Sequence, residues 1–470
     1  TFDLNGAGTF VENGASRIER ELSAGDTFPE LPEYTVGENN YIYRWDDMPT
    51  VVPNEDTTYA SHWVTKDLRI IYVTKEGAGT SWANAYDDIA MAYADAGHYR
   101  GEVWIGEGVY TQALPIAKCA AVNVRGGFAG TEASASEADP AAHPTVISGG
   151  RSTFYFLTDT DGAAGDAEIT GLSFVDFQRS AIDFSTANVG KVTVSKCRFL
   201  NCNLGGTTSY AAAWVLGEPT FSDCFFSNCV RTVYSKSSVA ATTVVERCTF
   251  ENNFARLCGG GVYVFFDDKA AADYSASIVN CRIIGNSCVR WAGAGLRTDS
   301  TSAAARMPAL VAGCLIAENN RIEDAAIDTG SAAGAYVING RLVNCTIAGN
   351  RGGTYAAGIF LAKGANNTLV NSIVWGNEPW ADRKGDGARG AELVMESETS
   401  SAKTIVGEGR TEIGGTSTDV WFDNPQFKAN GYRLKPRSPA RGRGDAAGAG
   451  CRRTLATASP GVGLHRSRGS

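Results

Sequence analysis

The sequence contains no stretch approaching the roughly 18 consecutive apolar residues that a membrane-crossing helix needs. Histidine is scarce: the 470 residues hold four, His62, His98, His143 and His465, and none lies in the repetitive block from Cys197 to Asn377. Excess positive charge is missing as well. The formal net charge is −9 and the sequence pI is near 5.2, which argues against nucleic acid as a partner. No start methionine and no leader segment stand before Thr1, so the sequence reads as a mature or truncated fragment. At 470 residues the chain exceeds the usual size of one compact domain, although a solenoid can form one elongated unit of that length.

What is present is a repeat. Cysteine, any residue, a large apolar residue, then a cysteine or asparagine recurs as Cys197-Arg-Phe199 with Cys202, Cys224-Phe-Phe226 with Cys229, and Cys248-Thr-Phe250 with Asn253. It continues as Cys281-Arg-Ile283 with Asn286, Cys314-Leu-Ile316 with Asn319, Cys345-Thr-Ile347 with Asn350, and Ser372-Ile-Val374 with Asn377. Successive starts are 27, 24, 33, 33, 31 and 27 residues apart, so insertions are tolerated while the central register holds, as in a coiled solenoid. Three residues before each start stands another apolar column: Val194, Phe221, Val245, Ile278, Val311, Leu342 and Leu369. Cysteine and the residue two beyond it share a face by the period of a strand. The earlier column breaks that parity, which predicts a bend or a second short strand. The residue just before each start (Lys196, Asp223, Arg247, Asn280, Gly313, Asn344, Asn371) is polar or small and is expected to face water.

A single such strand cannot bury its face, whereas turns of a parallel coil stacked about 4.8 Å apart build a continuous interior in which like rests on like. The predicted fold is all-β, a right-handed parallel β-helix. Asparagines at a fixed offset fit an internal ladder of side-chain amides. The run Gly260-Gly261-Val262-Tyr263, Ala294-Gly295-Leu296-Arg297, Ala333-Gly334-Ala335-Tyr336 and Ala357-Gly358-Ile359-Phe360 supplies a small residue for a tight turn and an apolar one for the core. Twelve cysteines invite a disulfide framework, but stacked neighbours point their Cβ bonds in parallel and keep the sulfurs too far apart. The six stacked cysteines are therefore expected to be buried free thiols. Repeat geometry accounts for Cys197, Cys202, Cys224 and Cys229 with no histidine nearby, so no metal is expected.

Phe250-Glu-Asn-Asn253 with Gly259-Gly-Gly261-Val262 resembles the F-x-x-N and G-G-A-[ILV] pairs of polymorphic outer membrane protein repeats, which are right-handed parallel β-helices of the pectin-lyase-like kind. Residues 1–66 form a separate module of short strands between Pro and Gly turns. Its landmarks Phe2-Asp-Leu-Asn-Gly6, Gly25-Asp-Thr-Phe-Pro29, Trp45, Val51-Val-Pro53, Tyr59 and Trp63 resemble the Listeria-Bacteroides or internalin B-type repeat. That resemblance implies a small β-grasp-like spacer or adhesion module. The sequence departs from it at Ala7, where a second glycine is usual.

The β-helix is expected over 67–445, opening with the strand Ile70-Ile-Tyr-Val73. A capping helix over about 82–96 follows, with Ser81 as N-cap and Gly97 as its stop, covering an edge that would otherwise template aggregation. Glu102 to Tyr110 and Val122 to Glu132 give the next rungs, in a succession that resembles the opening of bacterial surface β-helix repeat proteins. Trp380 to Gly415, with Glu392, Glu396 and Glu398, reads as a polar excursion. Trp421 to Asp445 resembles the closing turn of the same family. Residues 446–470 are small, Arg-rich and strandless, and read as a disordered or aberrant tail.

Enzymes on this fold act on acidic polysaccharides by resemblance, and the hydrolytic members want clustered aspartates beside a histidine and an Arg-x-Lys. With the histidines elsewhere and Arg433-Leu-Lys435 in the closing turn, that set is incomplete. A calcium-dependent lyase would draw on Asp267, Asp268, Asp299, Glu323, Asp324 and Asp328, which otherwise read as a solvated acidic edge; no other cofactor is expected. Tyr263, Arg297, Tyr336 and Phe360 hold one place in successive repeats, with Arg290 and Trp291 close in sequence. Rings along a groove suit sugar faces and arginine suits carboxylates; the alternative is a loop folded over the stripe. Arg443-Gly-Asp445 is a chance tripeptide beside the family's Gly-Asp ending. Together these features predict a monomeric, non-enzymatic protein of the bacterial cell surface that binds carbohydrate or a neighbouring cell-surface protein. A polysaccharide lyase or glycoside hydrolase, and a purely structural stalk, are the alternatives.

Overall fold

A computed structural model describes residues 1–37, 40–65, 70–74, 81–99, 101–111, 116–117, 122–150, 157–158, 166–184, 190–205, 211–216, 218–237, 242–266, 275–290, 293–300, 309–322, 332–353, 356–362, 367–378, 391–395, 400–402, 404–406, 410–413, 420–421, 423–429 and 431–441. The chain divides into two compact units, one comprising Thr1–Gly106 with Val122–Val124, the other Glu107–Ala121 with Arg125 onward.

In the first unit, Phe2–Asp3 lies between Arg17–Ile18 and Tyr59–Thr65, antiparallel to the former and parallel to the latter. Asn40–Trp45 pairs antiparallel with the far side of Tyr59–Thr65, and Gly8–Phe10 pairs separately with Tyr34–Val36. Phe2, Leu4, Phe10, Ile18 and Tyr59 are buried together, with Phe28 set edge-on to Tyr59 at 5.1 Å. Further along, Ile70–Val73 pairs in parallel with Glu102–Gly106, and an α-helix packs on both.

That helix is shorter and later than its sequence suggests. Trp82–Asn84 is a single 3-10 turn in which Ser81 makes no side-chain cap bond, and the α-helix spans Ile89–Tyr99. Between them Tyr86 exchanges backbone hydrogen bonds with Tyr72 and Thr74, which holds the chain extended. Asp88 then accepts from the amides of Ala90 and Met91 and caps the true start. Gly97 does not stop the helix; it lies within it.

The second unit is a parallel coil with three sheet walls. Wall A includes Ala167–Thr170, Lys191–Ser195, Glu218–Ser222, Thr242–Glu246, Ser275–Val279, Ala309–Ala312, Gly340–Val343, Thr368–Val370 and Ser400–Ala402. Wall B runs from Gly108–Thr111 to Val420–Trp421 and wall C from Ile116–Ala117 to Arg410–Ile413. The early apolar column proves to be wall A: Val194, Phe221, Val245, Ile278, Val311, Leu342 and Leu369 pair in that order and are all fully buried. In wall B, Phe199 stacks on Phe226 at 4.5 Å and 3°, and Phe226 on Phe250 at 4.9 Å and 10°; Ile283, Ile316, Ile347 and Val374 continue the column.

The bend between walls A and B is a single residue in the left-handed region. Lys196, Asp223, Arg247, Asn280, Gly313, Asn344 and Asn371 all have φ between 51° and 62°. Five residues on, a second left-handed residue ends wall B: Asn201, Asn228, Asn252, Gly285, Glu318, Gly349 and Gly376. Asn, Asp and Gly are at ease there, whereas Lys, Arg and Glu accept a cost of about 1 kcal/mol. Four of the first set face water as expected, but Asn344 and Asn371 are buried. The outside of wall A is itself covered at those rungs, where Ala312, Val343 and Val370 are buried.

Each turn delivers the next side chain into the interior. Cys197, Cys224, Cys248, Cys281, Cys314 and Cys345 are buried free thiols, and each Sγ lies 3.3–3.5 Å from a carbonyl of the rung before. Burial pushes the Cys197 thiol up to about 12 and holds Cys281 and Cys345 well above the ordinary range, so these groups remain protonated and unreactive. Cys258 and Cys288 are likewise free and buried; Cys119 and Cys451 lie outside the described residues.

After the second turn comes the asparagine ladder. Nδ2 of Asn253, Asn286, Asn319 and Asn350 donates to Oδ1 of the next asparagine at 2.8–3.0 Å. Each also donates to a carbonyl one rung back. The expectation of an internal amide ladder is therefore met, with every amide hydrogen in use. Gly295, Gly334 and Gly358 serve this ladder rather than a turn. A Cβ on Gly295 would lie 2.7 Å from Asn319 Nδ2 and 2.7 Å from the Gly334 carbonyl, and one on Gly358 2.8 Å from Asn377 Nδ2.

The closing segment folds over wall B, where Leu434 and Ala440 pack on Ile373 with Trp375 and Phe427. Tyr432 donates to Glu318 at 3.1 Å, holding the side chain of a strained corner residue. The tail beyond 441 lies outside the described residues.

Asn319→Ala removes the Nδ2 donor to the Ile283 carbonyl and to Asn350 Oδ1, and the Oδ1 that accepts from the backbone and side chain of Asn286, and is expected to cost about 3 kcal/mol or more. Asn253→Cys restores the residue type of the two preceding rungs and is expected to cost less than half of that. Equilibrium urea unfolding of both variants measures the difference.

Candidate functional site

The three corners of the coil are unequal, and the inequality locates the candidate face. Walls A and B are joined in all seven repeats by one left-handed residue followed by the buried Cys or Ser. The connections on both edges of wall C vary. Leu216 and Glu218 are one residue apart, whereas residues 267–274 separate Phe266 from Ser275 and residues 301–308 separate Ser300 from Ala309. On the other edge, Phe225–Ser227 is followed closely by Val233–Ser237, but Ile373–Trp375 and Ala391–Met395 are separated by residues 376–390. Scaffold segments that vary in length are where binding surfaces are built, so wall C is the face bordered by them on both sides.

One column runs along the outside of wall C. Pairing places Asp183, Trp214, Tyr234, Tyr263, Arg297, Tyr336, Phe360 and Val394 on successive rungs. Val233, Val262, Leu296, Ala335 and Ile359 occupy the alternate positions and are fully buried. The four residues expected to share a place therefore do so. Trp214 extends the stripe, and Tyr234 holds the register position between it and Tyr263. Sequence reading missed them because the glycine that marks the later repeats is replaced by Ala212 and Thr232, although the aromatic residue two positions beyond was a usable signal.

The stripe is packed against itself. Tyr336 stacks on Phe360 at 5.4 Å and 3°. The Arg297 guanidinium sits 4.8 Å from the centre of the Tyr336 ring and 5.6 Å from that of Tyr263, and Arg231 approaches Tyr263 from the adjoining corner at 5.3 Å. These are cation–π distances. Tyr263 and Phe360 are 5% and 4% exposed, while Trp214, Arg297 and Tyr336 are half-buried. Phe360 joins Ala332, Ala356, Ala362 and Val394 in a small outer core against which Tyr336 packs. The ring faces are thus largely occupied by neighbouring rungs.

Of the other sequence candidates, Arg290 is exposed, its amide donating to the Arg256 carbonyl. Trp291, Asp267, Asp268, Glu323, Asp324 and Asp328 lie outside the described residues. Asp299 belongs to the wall C strand Leu296–Ser300 and pairs with Phe265, but its side chain is outside the described set. The calcium-ligand reading rests on these carboxylates. Arg443-Gly-Asp445 is also outside. Two histidines are placed away from wall C: His143 Nδ1 is 3.0 Å from Glu107 Oε2, and His62 Nε2 is 2.7 Å from Asp46 Oδ1 in the first unit. Among the described residues no three His, Cys, Asp or Glu side chains are grouped to hold a metal ion, and no helix is long and apolar enough to cross a membrane.

Continuous parallel walls, stacked inward columns and one-residue corners define a parallel β-helix protein. The sequence matches the family described as right handed beta helix region over residues 156–406, more than half of its length, and the chain belongs to that family. A search of curated proteins finds no match. Among solved structures, the crystal structure of the periplasmic alginate epimerase AlgG is similar at 11% identity and a TM-score of 0.32, over 69% of this chain and 76% of that one.

Arg297→Ala should unseat the guanidinium between Tyr263 and Tyr336. A loss of about 1–2 kcal/mol is expected from a partly desolvated cation–π pair, read as a lowered urea midpoint at unchanged slope. Arg290→Ala, on the exposed surface, should leave the midpoint within about 0.5 kcal/mol of the parent.

Proposed function

We propose that this protein is a non-catalytic adhesive β-helix of the bacterial cell surface, which binds a carbohydrate or a neighbouring cell-surface protein through wall C and its flanking connections. The observation that carries this reading is the contrast between corners. Seven rungs keep one invariant one-residue turn between walls A and B, while both borders of wall C admit insertions of different length. A stalk without a ligand has no reason to confine its variation to the two borders of one wall.

Self-stacking of the stripe refines the mode of binding. With the ring faces taken up by Arg231, Arg297 and one another, wall C acts as a stiff floor that offers edges and polar groups, and the inserted connections supply the specific contacts. The small sheet formed by residues 1–65 suits a carrier module of the internalin B kind. The F-x-x-N ladder suits the likeness to polymorphic outer membrane protein repeats and the surface location that likeness implies.

The intact chain can be applied to a glycan array and to immobilised bacterial surface proteins, and incubated with uronate polymers while unsaturated products are followed. Saturable binding without product is expected, and it should fall at least tenfold when residues 267–274 and 301–308 are both replaced by two-residue linkers that leave the unfolding transition unchanged. Product formation would make the protein a lyase, and full binding by the shortened variant would move the site off wall C.

A further inference from the structure

The asparagine ladder requires an acceptor at its far end. Oδ1 of Asn377, the last asparagine, accepts from the backbone and side chain of Asn350 at 3.0 and 2.8 Å, and Nδ2 donates back to the Ile347 carbonyl at 3.0 Å. That leaves one Nδ2 hydrogen and the Asn377 amide. Both go to Glu392 Oε2, at 2.6 and 3.1 Å. Glu392 is only 5% exposed. It was expected in a polar excursion, yet it stands in a wall C strand where the fold needs it.

Its position is made by a bulge. Ala391 pairs with Ala356 on one side and Arg410 on the other, and Leu393 pairs with Ile359 and Thr411. Glu392 therefore has no counterpart between Arg410 and Thr411, while on the other side it stands opposite two residues, Ala357 and Gly358; such register breaks re-aim side chains. The side chain turns inward and takes the place of the next asparagine. Gly358 leaves the room, since a Cβ there would lie 2.3 Å from the Glu392 carbonyl oxygen.

Unlike an asparagine, this residue can carry charge. The described groups that meet it, Gly358, Gly376 and Asn377, are uncharged. Arg351 and Glu378 at the nearby corner are exposed and pair with each other at 2.8 Å. Arg410 and Glu412 are the titratable residues of the following strand. Burial raises the Glu392 carboxyl above the ordinary 4.5, against the opposing pull of the Asn377 donors.

We propose that Glu392 is a proton-linked latch on the last coils. Protonated, it closes the ladder without burying a charge; ionised, it still accepts from Asn377, and more strongly, but leaves a charge in a buried site, and the net cost of that burial favours opening of the last coils. Because the acid is raised in the folded chain, the latch is fully held below the ordinary carboxylate range. It weakens as pH rises to the folded value, and is constant above that.

Hydrogen exchange of the intact chain, corrected for the intrinsic pH dependence of exchange, tests this at the Asn377 amide with the mid-ladder Asn286 amide as internal reference. Protection at Asn377 should fall by up to about tenfold per pH unit in the window that opens at the ordinary carboxylate value, while that at Asn286 stays level. E392Q keeps an acceptor without the charge and should flatten the Asn377 profile. If that variant does not fold, the parent profile together with infrared titration of the Glu392 carboxylate decides. Protection at Asn377 that is level, or that follows Asn286, overturns the latch, as does a sloping profile in E392Q.

Discussion

Two left-handed residues five positions apart set the geometry of the seven repeats from Cys197 to Asn377. In six of them they confine wall B to a three-residue strand; they turn the chain sharply, and the side chain after each turn points inward. One inward position takes a thiol and the other an amide, and each bonds to the rung beneath. Backbone strain at Lys196, Arg247 and Glu318 costs about 1 kcal/mol apiece. That cost is small against a column of buried apolar side chains, each worth about 1.5–3 kcal/mol. The corners are tolerable because the interior they create is continuous.

The thiol and amide columns answer different needs. A thiol is a small, nearly apolar body with one weak donor, so it fills space and asks little of its surroundings. An amide must have all its hydrogens satisfied once buried, and the ladder achieves this only by repeating without a gap. At three later rungs the wall C residue beside the ladder is glycine, where an added Cβ would crowd both the carbonyl of the next rung and the ladder amide. Gly295, Gly334 and Gly358 thus answer to the close approach of the next wall C strand together with Asn319, Asn350 and Asn377.

Most of this was legible in the sequence, because period and stacking are both one-dimensional. Columns of like residues at shifting intervals give the coil, the buried thiols and the ladder directly. The corners were less legible, since Lys196, Arg247 and Glu318 hide a conformation that Asn and Gly advertise. The break at Tyr86 was hidden because a tertiary backbone pairing overrode a helical pattern. The stripe on wall C was readable in its register but not in its packing. Alternation tells which side of a strand a residue occupies, and says nothing of whether Arg297 will lie between two rings. Glu392 was misplaced because its strand breaks register with both neighbours, where periodic reading assumes an even count.

Because each coil carries its own pair of corners and bonds only to its immediate neighbours, whole turns can be gained or lost without redesigning the remainder. Each changes the reach of the solenoid by about 4.8 Å. A lineage could thus tune the length of such a coil by copying or deleting segments of a few dozen residues, a ruler graduated in single turns whose markings are already written into the chain.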